Sequence, residues 1–382
     1  MELVQSANLK DSLPGRIDQL DVLRGFALLG IGLENIFSMH TPNAFFSDYA
    51  ANYGQGLNHF LLLGLMVIVR GKFYPIFSFL FGASAALGLP SQGAGFFLRR
   101  LGGLFLLGAL QIVFIWEGDV LVQYVFMGCL LLPLRNWSPR ALAAAGAFLL
   151  LFSFAGRICE PPLGVTAPEN LAIYETGTFW ELASFRLQEY QKHIFTWTAL
   201  LFYSRIFAFM LLGFAFAKGK SIQWLASPAQ VRKVFMGHLA IVAVVALLVQ
   251  VAGWRGGAGH MPWLKEVSVG IYFYAAVVCL AALPGLLWQL PGFRACLEPL
   301  KYLGKLTLTH YLFQNLLFSL LFYRYGLGLF GDLAPWQISL LYLAVISLQL
   351  AVSKWLLRKW KQGPAEHLVR WVAGKKKKAP LG

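Results

Sequence analysis

Ten apolar runs dominate this chain, at about 22–39, 73–89, 101–116, 119–134, 141–157, 196–217, 234–252, 267–290, 302–323 and 336–357. A helix of this length crosses a hydrocarbon layer of about 30 Å. Of 382 residues, 58% are hydrophobic and only 13% charged, too little polar surface for a water-soluble globule. In lipid, backbone polar groups are satisfied only within helices or within a closed β-barrel. Barrel strands alternate in polarity, and none of these runs does. The expected fold is therefore all-α, a polytopic integral membrane bundle of about ten transmembrane helices plus one re-entrant or interfacial segment.

Charge sets the topology. The net charge of +15 is concentrated beside the apolar runs and in the tail 354–378, where Lys and Arg face the cytoplasm and anionic headgroups. Membrane lipids, and not nucleic acid, are the partners this pattern implies. With ten crossings, both termini, Arg99-Arg100, Arg135 with Arg140, 218–233 and 294–305 all fall inside. The thirteen residues 57–69 are short for a span, and counting them as an eleventh would put Arg99-Arg100 outside. They read as an outer re-entrant or interfacial segment. Arg70 and Lys72 then sit near the mouth of any pocket, or else snorkel to headgroups. In the outer loop 158–195, residues 173–193 read as a surface-lying helix. The expected organisation is a cytoplasmic segment 1–17, a membrane bundle 18–358 and a basic cytoplasmic tail 359–382. The four cysteines offer neither a disulfide framework nor metal-ligand spacing. The first run lacks a cleavage site after it and reads as a retained helix.

That first run carries Glu34 and Asn35 about 18 Å along a helix from Val22. Ionisable and polar groups at such depth face a bundle interior. On a helix Gly25, Gly32 and Asn35 share one face, and Ala27, Gly30 and Glu34 form the adjacent stripe, so small residues admit neighbouring helices beside both polar heads.

The block Arg16-Ile17-Asp18 through Asp21-Val22-Leu23-Arg24-Gly25-Phe26-Ala27-Leu28-Leu29-Gly30-Ile31, with Asn35, resembles the start of YeiB-family bacterial inner-membrane proteins. So do Gly71-Lys72-Phe73-Tyr74-Pro75, Arg99-Arg100-Leu101 and Trp116-Glu117-Gly118-Asp119. Gly304-Lys305, Leu308-Thr309-His310-Tyr311 with Gln314, and Gly363-Pro364-Ala365-Glu366 resemble that family's carboxy-terminal domain of unknown function, over about 220–371. The chain departs from the pattern at Gln111, His310, Ala365 and Glu34. More remotely, the layout is similar to the transmembrane acyltransferase superfamily. That similarity implies transfer of an acyl group from a cytoplasmic acyl-CoA, as co-substrate and not as a tightly bound cofactor, to an outer-face sugar, lipid or small acceptor. A membrane transporter or flippase is the alternative, and a non-catalytic membrane partner a third.

For transfer chemistry, Asn35 would donate to a carbonyl or oxyanion, Glu34 would orient a histidine, and His40 would act as general base. Asp119 would position His40 or pair with Arg70 or Lys72; alternatively it caps a helix. Substrate binding falls to Arg70, Lys72, His59, His310 and Gln314, the last two an i, i+4 pair that an interhelical network would equally use. Arg24, Arg99, Arg100 and Lys305 would cradle CoA phosphates, or serve only the positive-inside rule, with Arg24 paired to Asp21 or Asp18. No glycine-rich nucleotide loop occurs.

Overall fold

The computed structural model describes residues 18–42, 45–158, 169–219, 221–251, 262–360 and 362–374, and among these there is no strand. All ten runs are helical: α1 (Asp18–His40), α4 (Phe73–Gln92), α5 (Ala94–Phe114), α6 (Leu121–Leu134), α7 (Pro139–Ile158), α10 (Trp197–Lys218), α11 (Pro228–Val251), α12 (Pro262–Trp288), α14 (Thr307–Phe322) and α15 (Pro335–Trp360). Among the described residues, eight helical stretches are long and apolar enough to cross a membrane, Gly56–Gln92 taken as one. α6 and α14, with 14 and 16 residues, are shorter. Short helices fill the connections: α2 (Phe46–Ala51), α3 (Gly56–Gly64), α8 (Glu169–Thr176), α9 (Phe179–His193), α13 (Pro291–Lys305) and α16 (Pro364–Ala373).

The segment expected to be re-entrant is a separate piece. α3 ends in one π-helical turn, Leu65–Val69, and Arg70-Gly71-Lys72 then interrupts the helix before α4. Gly71 takes a φ of 73°, a left-handed value that disfavours side chains. The connection between α7 and α10, expected to carry one surface helix, likewise holds two among the described residues. Gly177 separates α8 from α9, and Thr178 with Glu181 forms a capping box at the start of α9.

α1 is the hub of the bundle, packing against α4, α12, α13, α14 and α15. Glycine permits the closest of these approaches. A Cβ on Gly25 would lie 2.1 Å from the Leu300 carbonyl oxygen, and one on Gly304 1.8 Å from that of Asp21. Backbones of α1 and α13 thus touch at a reciprocal glycine crossing. Further along α1, Gly30 receives the Phe73 ring and Gly32 the Gln314 amide, as the small-residue stripes require. A second reciprocal crossing joins α4 and α10, with Gly82 on the Met210 carbonyl and Gly213 on that of Phe79.

The Gly363-Pro364-Ala365-Glu366 motif is a clasp. Glu366 Oε1 accepts from the amides of Leu308 and Thr309 at 2.8 and 3.2 Å, and Oε2 accepts from the Thr309 hydroxyl at 2.5 Å. That hydroxyl in turn accepts from the Ala365 amide at 3.1 Å. Each of two helix starts, α14 and α16, supplies an acceptor for the other's orphan donors. The carboxylate also sits at the positive end of the α14 dipole.

Candidate functional site

The polar residue that α1 carries into the bundle, Asn35, begins a chain of side chains drawn from separate elements. Its amide donates to Asn315 Oδ1 on α14 at 3.0 Å, and the Asn315 amide donates to Gln111 Oε1 on α5 at 3.3 Å. Asn315 also interacts with the Tyr311 hydroxyl, one helical turn away. Tyr311 in turn donates to Asp119 Oδ1 at 2.6 Å. Asp119 lies in the turn between α5 and α6, where its other oxygen accepts from the Leu121 amide at 2.9 Å. All five side chains are buried. An amide group, a phenol and a carboxylate are therefore aligned inside the bundle, with Gln111 Nε2 left without a partner among the described residues.

Two of the four residues expected to be catalytic, Asn35 and Asp119, meet in this chain, and two do not. His40 is fully buried at the far end of α1. Its Nε2 accepts from the Leu333 amide at 3.0 Å, which places the proton on Nδ1, 2.7 Å from the Thr41 hydroxyl. With its lone pair so engaged, His40 anchors the loop before α15 and does not face Asp119. Glu34 accepts from the Gly71 amide at 2.9 Å instead of meeting a histidine, holding the break between α3 and α4. Asp119 pairs with Tyr311, not with Arg70 or Lys72, and it also supports the start of α6.

The expected substrate-binding residues divide into two groups. Arg70 lies beside Glu34, its guanidinium 4.4 Å from the Phe46 ring centre. Lys72 is buried and donates to the carbonyls of Met66 and Arg70. His59 is exposed on α3. His310 and Gln314 join α14 to α15: His310 Nε2 meets the Ser353 hydroxyl at 2.7 Å, and the Gln314 amide donates to Gln349 Oε1 at 2.7 Å. At the opposite end of α1, Arg24 spans Asp21 at 2.7 Å and Ser84 at 2.8 Å. Arg99 Nε donates to the Ala373 carbonyl at 2.7 Å, tying α5 to α16. Arg100 is exposed close enough to Arg24 for their charges to interact, and Lys305 closes α13.

Sequence reasoning missed the partners. Tyr311 stands in the sequence only as part of a motif, and Asn315 carries no signal of its own. Arg186, on the helix expected to lie at the surface, is fully buried. It donates to the Phe114 carbonyl at 3.1 Å and the Tyr325 hydroxyl at 3.3 Å, stacks 4.7 Å over Tyr323, and lies 3.8 Å from Glu117. Glu117 also accepts from the Tyr174 hydroxyl at 2.5 Å. Burial and the Glu117 carboxylate both push the Tyr174 phenol up. The Trp116-Glu117-Gly118-Asp119 motif thus faces two ways, Glu117 holding the outer-loop helices and Asp119 the polar chain. A pairing signal for Arg186 existed in the unmatched Glu117.

Next to this chain lies a pocket of about 500 Å³ between α6, the end of α9 and the start of α10. Gln123, Tyr190 and Tyr203 supply its polar atoms. Burial, followed by the neighbouring Tyr203 and Asp119, pushes the Tyr190 phenol up to about 12.

Residues 216–376 match the family described as "Protein of unknown function (DUF418)". Along nearly its whole length the chain is similar to three bacterial proteins. It is 31% identical to "Uncharacterized 39.9 kDa protein in amylase 3'region" of Bacillus acidopullulyticus, over 96% of each chain. It is 27% identical to "Uncharacterized protein YxaH" of Bacillus subtilis (strain 168), over 93% of each. With "Uncharacterized protein YeiB" of Escherichia coli (strain K12) it shares 27% identity, over 92% of this chain and 94% of that one. End-to-end similarity at this level, with the matched carboxy-terminal domain and a multi-pass helical architecture, makes the chain a member of the YeiB-like family of DUF418 membrane proteins.

Proposed function

We propose that the protein is a membrane-embedded acyltransferase that moves an acyl group from a cytoplasmic acyl-CoA to a hydroxyl or amine of an outer-face acceptor. The observation that carries this reading is the buried chain Asn35–Asn315–Tyr311–Asp119, in which oxyanion donors and a proton acceptor lie side by side. Transfer requires the acceptor to lose a proton as its bond to the acyl carbon forms and the thioester C–S bond breaks. Asp119 takes that proton, relayed through or oriented by Tyr311, and the released thiolate is protonated from water. The carboxamides of Asn35 and Asn315 donate to the oxyanion of the tetrahedral intermediate. The base role thus passes from His40, whose Nε2 is occupied, to Asp119. Arg100, with Arg24, Arg99 and Lys305, supplies positive charge for the CoA phosphates at the other end of α1.

The test is turnover of radiolabelled acyl-CoA by purified protein in nanodiscs with a panel of sugar, lipid and amine acceptors. Asp119→Asn and Asn35→Ala are expected to lower transfer by about 10²-fold or more, while His40→Gln retains activity wherever it folds. Binding of acyl-CoA with no transfer to any acceptor, or full activity of Asp119→Asn, would sink the proposal.

A further inference from the structure

The pocket beside Asp119 has features that the acyl-transfer reading does not use. Its volume of about 500 Å³ lies within the range of about 300–1,000 Å³ common for small-molecule sites. Its mouth is the side lined by Phe126 of α6 and by Trp197 and Leu200 of α10, each about half exposed. α10 is long and apolar enough to cross a membrane, so in a bilayer these exposed side chains border hydrocarbon. Met127 and Ile194 continue the apolar wall.

The inner end is polar but carries no cation. The Gln123 amide, correctly oriented, donates to the carbonyls of Asp119 and Val120 at 3.1 Å each, and Gln123 also meets the Tyr203 hydroxyl. Tyr190 Oη is buried without a partner among the described residues, although buried hydroxyls are nearly always hydrogen-bonded. The Asp119 carboxylate is near enough to act on Tyr190. An occupant is therefore long and apolar, with a neutral acceptor oxygen at its inner end. A free carboxylate or a phosphate there would meet Asp119 with no compensating positive charge among the pocket's residues.

We propose that this groove holds one acyl chain of a bilayer glycerophospholipid, entering from the surrounding hydrocarbon, with its ester carbonyl accepting a hydrogen bond from the Tyr190 hydroxyl. The site goes beyond the transfer reading and does not depend on it, because occupancy is read as binding. Compared with the exposed apolar face of α11, the groove retains one chain selectively.

The experiment uses full-length protein in nanodiscs containing a trace of phosphatidylethanolamine with a diazirine-bearing acyl chain, irradiated and mapped by peptide mass spectrometry. Saturable cross-links are expected within 121–134 and 190–203, above the level in 228–251, and displaced by unlabelled phosphatidylethanolamine but not by palmitate. Leu200→Trp, which fills the mouth, is expected to remove the excess labelling, and Tyr190→Phe to weaken it about threefold, the loss of one hydrogen bond. If Leu200→Trp fails to fold, Tyr190→Phe, which deletes a single atom, decides. Equal, non-saturable labelling of groove and α11, or labelling unchanged in the folded variants, overturns the site. Displacement by palmitate overturns the ester assignment. An absence of acyl-CoA turnover leaves these readouts intact and bears only on the transfer reading.

Discussion

Asp119 and Tyr311 lie 192 positions apart in the sequence, yet the 2.6 Å bond between them sets the chemistry of the bundle. Removing the donor with Tyr311→Phe leaves a buried carboxylate short of a partner, at an expected cost of about 1–3 kcal/mol in reversible unfolding. For Asn35 and Asn315, a double-mutant cycle with alanine is expected to give a coupling of about 0.6 kcal/mol, the usual size for polar pairs in lipid. Zero coupling would break the proposed chain at its first link. Asn35 was legible because an amide stands out in an apolar run, and Asp119 because it follows glycine at the edge of one. Tyr311 was not, since a tyrosine in a membrane helix carries no sign of where its hydroxyl points. Arg186 misled for the opposite reason: on an amphipathic stretch a charge looks solvated, and only the fold shows it enclosed by Tyr323, Tyr325 and Glu117.

At the level of elements, glycine crossings and caps determine what can change. Gly304→Leu would drive a side chain into the Asp21 backbone, and overpacking of this kind is expected to cost at least about 1–3 kcal/mol, read as a lower melting temperature in detergent. Arg186→Ala removes the hydrogen bonds to the Phe114 carbonyl and the Tyr325 hydroxyl together with the cation beside the partly exposed Glu117, at an expected cost of about 1–3 kcal/mol. The capping box at the start of α9 gives a pH signature. Both the amide and the hydroxyl of Thr178 donate to Glu181 and hold its carboxyl below the usual carboxylate range. Because the folded value lies below the unfolded one, the cap stabilises α9 above the unfolded value of about 4.3 and is lost as pH falls through the lower folded value. Amide protection at residues 179–182 is expected to drop across that acid window in the wild type and to be flat in Glu181→Ala. The stripes along α1 were readable from helical spacing alone. Which helix each glycine admits was not, because spacing fixes a face but says nothing about the neighbour across it.

For the molecule as a whole, hydropathy found a helix at each of the ten runs, since lipid allows few other solutions. The run 302–323, however, is cut at Leu306 between α13 and α14, and eight of the described stretches are long and apolar enough to cross. Ten crossings put the connection before α3 and the one between α6 and α7 on opposite sides. In a cysteine-free background, Asn52→Cys is expected to react with a membrane-impermeant maleimide on intact cells, and Asn136→Cys only after permeabilisation. Reaction of both from one side would refute that topology. What hydropathy could not convey is how the ends are secured, because the clasp depends on Glu366 meeting Thr309 across 57 positions. That clasp bears on how the protein is made. While the chain emerges from the ribosome, α14 enters the membrane with its first amides unsatisfied, and they stay so until Glu366 has been synthesised. The clasp therefore closes only after the helices it joins have all been made, so α16 locks the start of α14 as a late step of assembly.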